Sequence, residues 1–84
     1  MDDKLKKCLE YKTLEELASL RGLVSSMRAD YDRDLTTYAT LNDDKAFMNM
    51  PPHVKDMHDR RGKLTSLLMC INSIIEDKLF KLYE

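Results

Sequence analysis

Tryptophan is absent from these 84 residues, and glycine, proline and cysteine occur only twice each. So few glycines and prolines exclude a turn-rich sandwich or barrel, which needs a tight connection every few residues. Two cysteines exclude a disulfide scaffold. An excess of one charge is also missing: 14 basic groups stand against 15 acidic ones. The balance holds within each half, with seven and eight over 1–42 and seven and seven over 43–84. A protein that relies on phosphate contacts shows a clear basic surplus instead. The longest uncharged run, Leu64 to Ile75, is twelve residues, against the roughly 20 that span a bilayer. The first residues, Met1-Asp2-Asp3-Lys4, lack the apolar stretch of a secretory signal. The expectation is a cytoplasmic protein in a reducing setting, with no membrane span.

What is present is hydrophobic periodicity. Leu, Ile, Val and Phe supply 20 of the 84 residues, about 24%, above the range of intrinsic disorder. From Thr13 onward, apolar side chains fall at Leu17, Leu20, Val24, Met27, Tyr31, Tyr38 and Leu41. This three-and-four spacing is a heptad seam, interrupted at Asp34. With Leu23 and Leu35 it covers an arc of about 120°. Thr13-Leu14-Glu15-Glu16 reads as a capping box, and Asn42-Asp43-Asp44 as a stop. A second pattern follows Pro51-Pro52, a pair well placed in a first helical turn. Its apolar positions are Val54, Met57, Leu64, Leu67, Leu68, Ile71, Ile74, Ile75, Leu79 and Leu82. From Leu64 onward they widen to an arc of about 180°, more than one neighbouring helix covers.

The first dozen residues carry Leu5, Cys8 and Leu9, enough for a short helix that folds back before Thr13. One unbroken helix from Asp2 to Leu41 is the alternative, and the capping box favours the break. Gly22 and Gly62 each cost about 1 kcal/mol in a helix interior, and Gly62 is a possible end of a helix at Arg61. The predicted fold is all-α: a single domain over 1–84, a long antiparallel, coiled-coil-like helical hairpin with a short N-terminal helix, over about 2–11, 14–41 and 52–83. The short N-terminal helix offers too little to cover Leu67, Met69, Ile74 and Phe80, so those residues predict self-association into a dimeric bundle.

Catalytic signals are scarce. There is no Gly-rich phosphate loop, no HExxH, no GxSxG and no EF-hand loop. His53 and His58 are five apart, about 140° around a helix, so they do not share a metal as an i, i+4 pair does. No metal and no cofactor is implied. Cys8 and Cys70 fall on apolar faces and are expected to be buried, and the four tyrosines to pack with their hydroxyls at the rim. Asp34 on an apolar seam needs a partner, and a loop centred near residues 46 and 47 sets it level with Arg60. An Asp34–arginine pair that fixes helix register is the expectation; a polar site for an external ligand, or exposure, is the alternative.

Two segments are candidate contact sites. Ala46-Phe47-Met48-Asn49-Met50 is apolar where connections are polar, and either plugs the end of the hairpin or forms a partner-binding tip. His53 to Lys63 holds both histidines and four basic groups against two acidic ones. Phe47, Met48, Met50, His53, Lys55, Arg60 and Arg61 are therefore the candidate partner-binding residues. The expected function is a non-enzymatic interaction module with a protein partner of unknown identity. Adaptors, secretion-type chaperones and phage-type modulators or inhibitors of host machinery share such architecture. Two rivals remain: a dimeric nucleic-acid-binding regulator using the basic residues between 55 and 63, and a small helical enzyme or ligand-binding protein built on Asp34, Arg60 and Arg61.

Overall fold

A computed structural model describes residues 3–42 and 50–83. Three helices follow in order, α1 (Asp3–Glu10), α2 (Leu14–Asn42) and α3 (Pro52–Tyr83). No strand occurs among the described residues. The break between α1 and α2 is the capping box. The Thr13 amide donates to Glu16 Oε1 at 3.0 Å, and the Glu16 amide donates to Thr13 Oγ1 at 3.1 Å. Two orphan donors of the helix start are thereby satisfied. Those bonds favour the ionised carboxylate, so the Glu16 carboxyl is held below its ordinary value, chiefly by the Thr13 backbone amide. At the head of α3 the Pro51 carbonyl accepts from the amides of Val54 and Lys55, at 3.0 and 3.1 Å. Pro52 takes the first helical position, where a missing N–H leaves nothing unsatisfied. α3 then runs unbroken through Gly62.

The two long helices pack against each other, and cross-helix pairs give their direction. Asp32 meets Arg61 near one end, while Leu17 shares a cluster with Ile71, Ile74 and Ile75 near the other. Rising numbers on α2 match falling numbers on α3, so the pair is antiparallel. The molecule is drawn out to 53 × 21 × 17 Å. α1 lies along α3, placing Leu9 at 2% exposure in the same cluster.

Burial on α2 follows the pitch of a straight helix rather than the heptad. Leu17, Val24 and Leu35 are the buried residues, at 0, 3 and 8% exposure. Leu35 lies eighteen residues beyond Leu17, five full turns at 3.6 residues per turn. A strict 3.5-residue repeat drifts about 20° per heptad against that pitch, so by the third heptad its seam has left the interface. Asp34 is exposed, as are Met27 and Leu41, at 44 and 78%. Leu20, Tyr31 and Tyr38 stay half-buried at the edge.

α1 corrects two further expectations. By covering α3 beside Leu67 and Ile71 it takes Ile74 into the core at 4% exposure, where the sequence predicts an uncovered side chain. Leu67 is half-buried against the same cluster. Cys8 is exposed rather than buried, because the narrow apolar face of α1 is centred on Leu9; Cys70 is half-buried. Tyr11 and Tyr83, at 91 and 90% exposure, do not pack.

Candidate functional site

The charged residues of the middle of the hairpin come first, since sequence placed a polar site there. Asp34 does not meet Arg60 or Arg61. Its carboxylate lies 3.9 Å from Arg33 on its own helix, and Arg33 also reaches Asp30 at 3.4 Å. The carboxylate that crosses to α3 is Asp32, in ionic contact with Arg61. Asp32 sits about 60° from the line through Leu17 and Leu35 and Asp34 about 100° from it, on the opposite side. Arg60 turns instead to Asp56, with Nε 3.0 Å from Oδ2, and to the Tyr31 hydroxyl across the groove. Tyr31 first and Asp56 second hold the Arg60 guanidinium in its charged form, raising its pKa above the ordinary value. Lys63 pairs with Asp59 at 3.0 Å. The triad of Asp34, Arg60 and Arg61 is therefore not assembled.

Of the candidate contact residues, Phe47 and Met48 lie outside the described residues. Met50 is half-buried beside Pro51, His53 and Lys55 are exposed, Arg60 is exposed and Arg61 half-buried. Among the described residues no three His, Cys, Asp or Glu side chains gather as metal ligands. No helix among them is long and apolar enough to cross a membrane.

The structure brings together a feature that the spacing did not reveal. Above the N-terminal end of α1, where no third helix covers the hairpin, an open groove of about 980 Å³ has Leu5, Met27, Tyr31, Arg60, Leu64 and Leu67 among its lining residues. Its walls are mostly apolar, with the Tyr31–Arg60 pair at the mouth. Counting in steps of 100° from Leu17 would have placed Met27 and Tyr31 on this side. That α1 stops short of it is a tertiary fact.

A second uncovered surface is the end of α3. Since Asp32 is level with Arg61 and both helices rise 1.5 Å per residue, α2 begins at Leu14 opposite Leu79. Leu79 and Leu82 keep the orientation of the core residues, but Leu79 is level with the first residue of α2 and Leu82 lies beyond it, and they are 45 and 72% exposed. Met69 and Phe80, on the outer side of α3, are 68 and 61% exposed. Arg28 is a residue the sequence did not flag. It stands in the α2 seam between Val24 and Leu35, half-buried, with its Nε shielded and without a hydrogen-bond partner.

No family model, curated protein sequence or solved structure matches this chain.

Proposed function

We propose that the chain is a non-enzymatic protein–protein interaction module that self-associates and works in the cytoplasm, where two free thiols suit a reducing compartment. The observation that carries the reading is where the apolar side chains lie. Among the described residues, ten large hydrophobic side chains are exposed, from Leu5 to Tyr83, against eight hydrophobic residues in the core. Soluble monomers avoid large contiguous apolar patches, and such patches mark contact surfaces. The groove beside Met27 and Tyr31 suits apolar side chains of a partner protein, and the apolar segment with Phe47 and Met48 is a further contact in this reading.

The rival readings have less support. Arg60, Arg61 and Lys63 each already face a carboxylate, which reduces the field a phosphate backbone would meet. The polar group needed for an enzyme is dispersed over separate pairs.

The test is capture from native extract by the wild-type chain and by a Leu23→Lys, Met27→Lys variant, at low and high salt. The module reading expects a stoichiometric protein that survives salt and is lost with the variant. A chain that stays monomeric and captures no protein overturns it, and salt-sensitive capture of nucleic acid favours the regulator.

A further inference from the structure

The outer face of α3 carries a second three-and-four repeat that the single chain leaves unused. Gly62, Ser66, Met69, Ser73, Glu76 and Phe80 lie within a band about 80° wide, roughly 100° away from the side that faces α2. All six are exposed. The Cβ position of Gly62 meets no atom within 4 Å, and the same is true of Gly22 on α2. A helix-interior glycine costs about 1 kcal/mol relative to alanine, and nothing inside one chain requires either of them. Only one charge, Glu76, interrupts the band, although lysine and aspartate are frequent on the neighbouring outer positions of the same helix.

We infer that a second copy of this chain packs on this face, with the two α3 helices antiparallel about a two-fold axis near Ile71. The inference rests on the interaction-module reading and names its partner. In this register every large residue meets a small one. Phe80 falls over Gly62 of the second copy, Met69 over its Ser73, and the Glu76 carboxylate within reach of its Ser66 hydroxyl. A parallel arrangement stacks Phe80 on Phe80 and Glu76 on Glu76, and leaves holes at the glycines.

Charge follows the same register. On the flank of the band away from α2 stand Asp59, Lys63, Asp77 and Lys81, all exposed. The two-fold brings Asp59 beside Lys81 of the second copy and Lys63 beside its Asp77, and repeats both pairs by symmetry. Opposite charges at such flanking positions set partner and orientation. The Asp59–Lys63 pair within the helix becomes part of a longer network. On the other flank, the rotation sets the two α2 helices side by side with Ala18, Gly22 and Ser25 facing, so both glycines fall where backbones approach closely.

The chain exposes 6537 Å², about 1,400 Å² more than a compact monomer of its mass exposes, as its drawn-out shape of 53 × 21 × 17 Å requires; a standard stable interface takes about 800 Å² from each partner.

The experiment is sedimentation equilibrium over a hundredfold concentration range on wild type, Gly62→Leu and Phe80→Glu, with circular dichroism on each. Wild type is expected to reach twice the 9.8 kDa chain mass. In Gly62→Leu the added Cβ meets no atom of the single chain within 4 Å, the position is exposed, and leucine is a better helix former than glycine. It should keep full helicity yet weaken the dimer at least tenfold, because leucine occupies the space meant for Phe80 of the second copy. Phe80→Glu should do the same. A wild-type mass that stays at one chain throughout overturns the inference while leaving capture of another protein open. A dimer that Gly62→Leu and Phe80→Glu leave unweakened overturns this face and register, while the interaction-module reading stands.

Discussion

Asp32 reaches Arg61 across the helix interface, whereas Asp34, two residues further along α2, turns away and, among the described residues, forms its ion pair with Arg33 of its own helix. Two residues are about 200° of helical rotation, so only one of these carboxylates can serve the interface. Asp32→Ala should lower stability by about 0.2–1 kcal/mol, the scale of a half-exposed ion pair. Asp34→Ala should stay within about 0.5 kcal/mol of wild type. Urea denaturation of both variants checks this, and a larger loss for Asp34 would reverse the assignment.

The capping box makes stability depend on acid. Because the Glu16 carboxyl is held below its ordinary value, its contribution is complete at neutral pH. It is lost as pH falls through the depressed folded-state value. Thermal melts of wild type and Glu16→Gln should therefore differ most at neutral pH and converge on acidification. A difference that persists unchanged into strong acid would refute the linkage.

Leu9 is the buried residue of α1. Leu9→Ala should cost about 2 kcal/mol, and α1 should come away from α3 before the long helices separate. Hydrogen exchange is the measurement: α1 amides should lose protection while those around Val24 and Ile71 keep theirs. Equal loss along all three helices would show that α1 belongs to the same cooperative unit.

Gly22→Ala should stabilise the chain by about 1 kcal/mol, since the added methyl enters open space and alanine is the better helix former. Denaturant midpoints in dilute protein decide it. An unchanged or lowered midpoint would mean that the space is needed even within one chain.

Arg28→Leu is expected to raise stability by about 1 kcal/mol. Its shielded Nε lacks a hydrogen-bond partner in the seam, and removing a desolvated polar group there relieves its cost. A lower melting temperature would show that the guanidinium makes a compensating contact.

Local chemistry made the helices legible in the sequence. Thr13 with Glu16, and Pro51 with Pro52, mark starts whose hydrogen bonds involve neighbours within four residues, so no distant contact is needed to read them. The apolar periodicity showed that two long helices would face each other, and the charge balance on both halves was plain from composition.

Which residues occupy the interface was decided by the tertiary structure. Periods of 3.5 and 3.6 residues nearly agree over two turns, yet after five turns they differ by half a position, about 50° of rotation, so spacing alone could not choose Leu35 with Asp32 over Asp34. Ile74 likewise depended on where α1 settled, and the groove beside Met27 on where it stopped. Burial is a relation between segments far apart in the chain, fixed by how the helices pack together, and no count along one helix contains it.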